Sequence, residues 1–262
     1  MEEARKRELL QYLVAELSAE RGKPATQTED FSGLWKEFRA LVNTRKPSDA
    51  PAWLAAQDEL LRGLIVEAGI HSVDSAIASP LDARLHLWRG DITTLAVDAI
   101  VNAANSQMLG CWVPGHHCID NAIHTFAGVQ LRAECARIMD AQGYEEPTGQ
   151  AKITPAYNLP ARFVIHTVGP IANGAPTELH CAQLAQSYRS CLNLAAEHEL
   201  ETIAFCCIST GVFGFPQQEA ADIAVGTVRT WLDDYASNMA VVFNVFNDKD
   251  ERIYWKLLGI TD

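Results

Sequence analysis

The run Val97-Asp98-Ala99-Ile100-Val101-Asn102-Ala103-Ala104-Asn105-Ser106 is mostly apolar until it reaches a polar Asn-x-x-Asn elbow. Beyond it, Ile119, Ile123, Phe126, Ala127, Leu131, Cys135 and Ile138 recur every three or four positions. The first pattern predicts a buried strand over 98–102, and the second a helix over 119–141 with a single apolar stripe. A strand that passes through a polar loop into a helix is the repeating unit of an open α/β sheet. Such sheets bind ligands in the crevice outside the carboxyl ends of their strands. The connecting loop is therefore where chemistry is expected.

That loop reads Gly110-Cys111-Trp112-Val113-Pro114-Gly115-His116-His117-Cys118. Cys111, His116 and Cys118 offer two thiols and an imidazole, a donor set that suits Zn²⁺, and three protein ligands leave the fourth tetrahedral position open. Pro114-Gly115 favours a turn that folds Cys111 back towards the other two donors. The spacing also fits a reduced pair of thiols beside a structural histidine. Asp120, two residues past the last donor, is placed to take a proton in a reaction. A carboxylate in the first turn of a helix is also favoured by the helix dipole and by capping. His124 falls one turn later on the same face and reads as supporting or structural.

Outward from this unit, strands are expected over 85–89, 162–168, 202–208 and 240–246, with a further one over 150–156. Helices are expected over 179–198, 216–235 and 249–258, and the alternation argues for βαβ units and a largely parallel sheet. Residues 1–78 differ: helices are expected over 3–17, 31–42 and 53–67, loops over 18–30 and 43–50, no strand, and nothing that suggests a site. The division that follows is a helical extension over 1–80 and an α/β unit over 81–262. Within the latter, Ser209-Thr210-Gly211-Val212-Phe213-Gly214-Phe215-Pro216 joins strand to helix. It can present consecutive N–H groups to a phosphate, or use its glycines for a tight turn. Gly90-Asp91-Ile92-Thr93 reads on its own as a helix cap.

A chain of 262 residues with 48% hydrophobic content can bury one sizeable core. No apolar run is long enough to span a bilayer, and the first twenty residues are charged and helix-patterned rather than signal-like. Seven cysteines, an odd number with Cys206-Cys207 adjacent inside an expected strand, do not form a secreted disulfide framework. A soluble cytoplasmic protein is expected, with Cys135, Cys181, Cys191, Cys206 and Cys207 serving as packing. A net charge of −12 argues against extended nucleic acid. A small dianion can still bind, because backbone N–H dipoles act locally.

Gly90-Asp91-Ile92-Thr93, Val101-Asn102-Ala103-Ala104-Asn105-Ser106, Ile119-Asp120-Asn121-Ala122-Ile123-His124 and Ser209-Thr210-Gly211-Val212-Phe213-Gly214, taken together and in this order, closely resemble the macrodomain family over 81–262. The resemblance implies a three-layer α/β/α fold with a mixed, mostly parallel central sheet that binds ADP-ribose. Where metal-free hydrolytic macrodomains carry a glycine-rich loop, this chain carries the Cys-x4-His-x-Cys run. That run is similar to the zinc-containing branch, whose members also have an N-terminal helical extension; its pattern selects His116 over His117.

Carried over by residue, the resemblance implies that Asp91 accepts the adenine amino group while the Ile92 backbone touches the same ring. Phe246, ending the last strand, would stack on adenine, with a core aromatic as the plain alternative. Ser209, Thr210, Gly211, Val212 and Phe213 would wrap the diphosphate, and Asn102 and Asn105 would line the distal ribose. Cys111, His116 and Cys118 would hold one Zn²⁺ per chain, with Asp120 and Asn105 at the reacting centre. The implied activity is zinc-dependent hydrolysis of mono-ADP-ribose from protein side chains, expected to be carboxylate-linked and made by a sirtuin-like ADP-ribosyltransferase. A non-catalytic reader, or a deacetylase of O-acetyl-ADP-ribose, would use the same pocket. A pure reader needs neither an open metal position nor Asp120.

Overall fold

The computed structural model describes residues 1–22, 28, 30–43 and 50–261. The loops expected over 18–30 and 43–50 lie in large part outside these residues. The chain begins with α1 (Glu3–Ala19), α2 (Phe31–Val42), α3 (Pro51–Ala68), β1 (Ile77–Ala78) and β2 (Leu85–Arg89). It continues through β3 (Ala99–Ala104), α4 (Ile119–Ala127), α5 (Val129–Gln142), β4 (Ala151–Pro155) and β5 (Phe163–Val168). It closes with α6 (Glu178–Glu197), β6 (Thr202–Phe205), α7 (Gln217–Asp234), β7 (Ala240–Val245) and α8 (Asp248–Leu258).

The seven strands form one sheet in the order β1-β2-β7-β6-β3-β5-β4. The five inner strands are parallel, while β1 and β4 pair antiparallel at the two edges. A parallel strand covered on both faces must be apolar on both, and Ala99, Ile100 and Val101 of β3 are wholly buried. Helices α6, α7 and α8 pack side by side, while α4 and α5 pack on β3 and β4. This is the three-layer α/β/α arrangement with a mixed sheet that the resemblance implies.

Helices α1 to α3 enclose a second apolar cluster that includes Leu10, Leu13, Leu34, Phe38 and Leu60. Each leucine buried this fully contributes about 1.5–3 kcal/mol. Val129 and Phe126 pack onto the same cluster, joining it to the α4–α5 junction.

The helix expected over 119–141 is two helices. Gly128 sits at φ +96° between them, and a Cβ there would come within 2.6 Å of the side chains of Gln57 and Gln130. Gln57 reaches over from α3 and accepts the Val129 amide at 3.0 Å, so the start of α5 finds its partner outside its own sequence. The strand expected over 202–208 stops at Phe205, which leaves Cys206 and Cys207 in the turn beyond it. The last strand ends at Val245, one residue before Phe246. Residues 1–80 do contain a strand: β1 pairs two residues against β2, too few to show a period. All seven cysteines are free, with Cys135, Cys191 and Cys206 buried and Cys181 and Cys207 half-buried. Among the described residues, no helix is long and apolar enough to cross a membrane.

Candidate active site

Residues that directly follow β2, β3, β5, β6 and β7 line a cleft of about 850 Å³. It therefore lies outside the carboxyl ends of the parallel strands and has the size of a small-molecule site. Of the site residues singled out in the sequence, all but Asn102 line this cleft.

At one end, Asp91 caps a short 3-10 turn over Ile92–Thr94. Its Oδ1 accepts the Thr93 amide at 3.0 Å and the Thr93 hydroxyl at 2.7 Å. The carboxylate thus caps and faces the cleft at once. Phe246 is 77% exposed at the rim, so the core-aromatic alternative does not describe it.

Midway, the Ser209–Phe213 segment folds on itself: the Phe215 amide donates to Ser209 O at 2.9 Å and the Gly214 amide to Gly211 O at 3.0 Å. The amides of Gly211, Val212 and Phe213 donate to no described backbone carbonyl. Ser209 holds φ +65°, a left-handed conformation that costs a serine on the order of 1 kcal/mol. Its buried hydroxyl has no partner.

At the other end, the loop preceding α4 gathers the thiols and the imidazole. The His116 amide closes the Pro-Gly turn onto Val113 O at 3.2 Å. Cys111 Sγ lies 3.4 Å from His116 Nδ1, and the donor atoms of Cys111, His116 and Cys118 are all within 4.8 Å of one another. A tetrahedral zinc separates a thiolate sulfur from an imidazole nitrogen by about 3.5 Å, so the donor set fits the ion. Burial pushes the Cys118 thiol up to about 12; a cation in the site works in the opposite direction. His117 lines the cleft but stands outside this donor group.

The helix-cap alternative is taken by Cys118, whose sulfur accepts the Asn121 amide at 3.4 Å. Asp120 remains in the first turn of α4, but its oxygens take their hydrogen bonds from β3 and the residue after it. Its Oδ1 accepts from Asn102 Nδ2 at 2.8 Å, and its Oδ2 lies 3.5 Å from Asn105 Nδ2. Burial raises the Asp120 carboxyl to about 6, against the opposing pull of the Asn102 bond and the Arg132 charge. His124 Nε2 lies 3.5 Å from Asp120 Oδ1, yet neither of its ring nitrogens makes a hydrogen bond. Asn102 is wholly buried and stands behind Asp120 rather than in the cleft wall.

Two contributors escaped the sequence reading. Arg39 of α2 lines the cleft and donates to His116 O at 3.1 Å and to Asn121 Oδ1 at 2.8 Å. The expectation that residues 1–78 hold nothing of the site is thereby corrected: a charged residue near the end of an amphipathic helix carries no signal of a partner 77 residues away. His166, in the middle of β5, sits beneath Asn102 with its Nδ1 3.1 Å from Asn102 Nδ2. A single histidine inside an apolar run was the only mark it left. With His124 and Cys135 it forms a second, wholly buried group of possible metal donors.

Residues 101–224 match the Macro domain family. The chain is 54% identical over 256 residues to a protein-ADP-ribose hydrolase of Treponema medium, covering 96% of this chain and 97% of the relative. It is 48% identical over 250 residues to a protein of the same name in Staphylococcus aureus (strain MSSA476), covering 94% and 93%. The macrodomain of Trypanosoma brucei in complex with ADP-ribose superimposes with a TM-score of 0.65 at 32% identity, over 81% of this chain and 92% of that one. The Oceanobacillus iheyensis macrodomain with ADP gives 0.61 at 40% identity, over 67% and 90%. The chain belongs to the Macro domain family.

Proposed function

We propose that this protein is a zinc-dependent hydrolase that releases mono-ADP-ribose from modified protein side chains, chiefly carboxylate-linked ones. The observation that carries the reading is that one cleft holds a two-thiol, one-imidazole donor set and, two residues further on, a buried carboxyl. Relatives named protein-ADP-ribose hydrolase along nearly their whole length, and ADP-ribose bound to the T. brucei macrodomain, support it. On this reading residues 81–262 are a macrodomain of the zinc-containing branch and residues 1–80 its helical extension. Its seven free cysteines suit a reducing setting, taken here as the cytoplasm. A sirtuin-like ADP-ribosyltransferase is the class of enzyme that would make its substrate.

ADP-ribose would lie along the cleft from Phe246 to Asp120. Asp91 Oδ2 would accept a hydrogen of the adenine amino group, Oδ1 being engaged by Thr93. The Ile92 backbone touches the same ring, and the exposed face of Phe246 stacks on it. The amides of Gly211, Val212 and Phe213, with Thr210 and the unpartnered Ser209 hydroxyl, would hold the diphosphate. Asn105 lines the distal ribose, and Asn102 acts from behind, on Asp120.

Cys111, His116 and Cys118 would hold one Zn²⁺ per chain, which supplies a Lewis acid beside the distal ribose when bound. The bond that breaks joins C1 of that ribose to a carboxylate oxygen of the modified side chain. Water adds at C1, the side-chain carboxylate leaves with the bonding electron pair, and the proton lost by water passes to Asp120 Oδ2. Oδ1 is tied to Asn102, which leaves Oδ2 as the accepting atom. A carboxyl raised to about 6 is a stronger base than an ordinary one and still ionised near neutrality. Its negative charge also faces the positive charge that develops on the sugar.

The test is ADP-ribose release from Asp/Glu-, Ser- and Arg-linked mono-ADP-ribosylated proteins, with and without a zinc chelator. Release from the carboxylate linkage, lost on chelation and restored by zinc, is the expected result. Tight ADP-ribose binding without release from any linkage would make the protein a reader. Release only from O-acetyl-ADP-ribose would make it a deacetylase.

A further inference from the structure

We infer that His166 is a positioning residue: it fixes the side-chain amide of Asn102 and, through it, the carboxylate of Asp120. The inference deepens the hydrolase reading and rests on it for its consequence in turnover.

Asn102 of β3 and His166 of β5 are direct partners in the parallel register, so their side chains leave the sheet on one face. Both are wholly buried. The atom of Asn102 that lies 2.8 Å from Asp120 Oδ1 must be the amide nitrogen, because an ionised carboxylate only accepts. An amide nitrogen carries a second hydrogen, and the acceptor 3.1 Å away is His166 Nδ1. A ring nitrogen that accepts holds no proton, so the proton of the neutral imidazole is on Nε2. Nε2 lies 3.0 Å from Thr154 Oγ1 on β4, which takes that hydrogen and can pass its own to Val164 O at 3.5 Å. Burial keeps the ring neutral, holding its pKa down to about 3.

The hydrogen-bonded chain therefore links Asp120, Asn102, His166 and Thr154 across α4, β3, β5 and β4: Asn102 donates to Asp120 on one side and to His166 on the other, and His166 donates on to Thr154. Both nitrogens of His166 are used in it, which argues against a metal shared with His124 and Cys135; Cys135 Sγ is 3.8 Å from Nε2, no closer than a weak thiol contact. The amide oxygen of Asn102 is buried without a partner. If Nδ1 were not there to hold the amide nitrogen, the amide could rotate and turn that oxygen towards Asp120. Two acceptors would then face each other, and Asp120 would lose the donor that orients its carboxylate. A carboxylate free to turn no longer holds Oδ2 where it can take a proton from water.

The experiment compares His166→Leu, which fills the space without an acceptor, with His166→Asn, whose amide oxygen falls near the place of Nδ1. Single-turnover release of ADP-ribose from a carboxylate-linked substrate, ADP-ribose affinity and thermal melting are measured on each full-length chain. The Leu variant should lose turnover roughly 10- to 100-fold, as removal of an orienting partner does elsewhere, with affinity for ADP-ribose within about twofold. The Asn variant should recover most of that loss. Wild-type turnover in the Leu variant, or an Asn variant as slow as Leu at the same melting temperature, overturns the proposal. Should the Leu variant not fold, Thr154→Val removes the acceptor of the Nε2 hydrogen. It should slow turnover about tenfold, with Thr154→Ser restoring it, and an unchanged rate overturns the proposal. Independently of activity, long-range nitrogen–proton spectra of the imidazole should show the Nε2–H tautomer of His166; the Nδ1–H tautomer overturns it. A wild-type chain that shows the Nε2–H tautomer but releases no ADP-ribose from any linkage refutes the hydrolase reading instead.

Discussion

Asp91 makes its hydrogen bonds two residues away, to the amide and hydroxyl of Thr93, whereas Asp120 is held by Asn102, 18 residues back and on another element. Around Asp91 the carboxylate itself is held locally and is exposed, and Phe246 lies on the rim, although the strand ends that bring them together are bonded through Asn244 and Gly90 across 154 residues. Around Asp120 the parts converge from distant stretches: half-buried Arg39 meets His116 across 77 residues, and wholly buried Asn102 meets His166 across 64. An exposed side chain can change its grip on a ligand with little disturbance of the rest. A buried end ties chemistry to folding, since each polar group there was desolvated on the condition that its partner is present.

The strongest way to break this comparison is at the proposed metal donors. Replacing Cys111, His116 and Cys118 together by Ala should remove about one zinc per chain and bring ADP-ribose release down to background. Elemental analysis beside the release assay checks it, and full zinc content in a folded triple variant would place the metal elsewhere. Next in size, Asp120→Ala should lower single-turnover release by about 10²-fold or more while leaving most ADP-ribose affinity in place. An unchanged rate would reduce the carboxyl to a structural part. At the opposite end, Asp91→Ala should do the reverse. Loss of a charged hydrogen bond of roughly 1.5–3 kcal/mol weakens ADP-ribose binding about 10- to 150-fold, with turnover at saturation and zinc content kept. Calorimetric titration at wild-type affinity would show that adenine binds elsewhere.

The smallest effect sharpens the comparison through stability. His166 titrates near 6.5 when unfolded and near 3 in the fold. Between those values the unfolded chain holds one proton more, so the contribution is complete above pH 6.5 and is lost as pH falls towards 3. Denaturant unfolding at pH 7 and pH 5 should show the wild type losing about 2 kcal/mol more than His166→Asn. Asp120, raised by burial, acts in the opposite sense: its contribution is present at low pH and fades as pH rises through about 6. The difference between the two proteins is therefore the quantity to read. Equal losses would mean that His166 is not held neutral by the fold.

The same contrast explains how much was legible in the sequence. The helical stripe of α1, the apolar run of β3 and the glycine-bearing loop at Ser209 each declare themselves within a few residues, because their physics is local periodicity and backbone freedom. So do the three donors around Pro114-Gly115. What lay hidden depends on pairing between elements. The break at Gly128, at φ +96°, is met by Gln57 and Asn158 from distant stretches, which no pattern near Gly128 announces. Arg39 and His166 look like an ordinary surface cation and an ordinary core histidine until register and packing bring them to the loop and to Asn102. The resemblance places Asn102 along the distal ribose, whereas its position in the central strand buries it next to the Asp120 carboxylate.

The reach of Gln57 into the α4–α5 junction sets what can be moved between proteins. A fragment starting near residue 80 would carry Asp91 and Phe246 themselves, yet the turn after Asp91 would lose the His71 backbone that bonds Thr94 O and the Ala96 amide, and α5 would begin with an amide whose acceptor had been left behind. It would also carry the bared apolar faces of Phe126 and Val129, and a metal loop without the guanidinium that grips His116 O. Such a fragment should bind nucleotide weakly and precipitate readily. For grafting, fusion or directed evolution, the portable unit includes α1 to α3, and libraries aimed at substrate choice are better spent on the Asp91 and Phe246 rim, where a change stays where it is made.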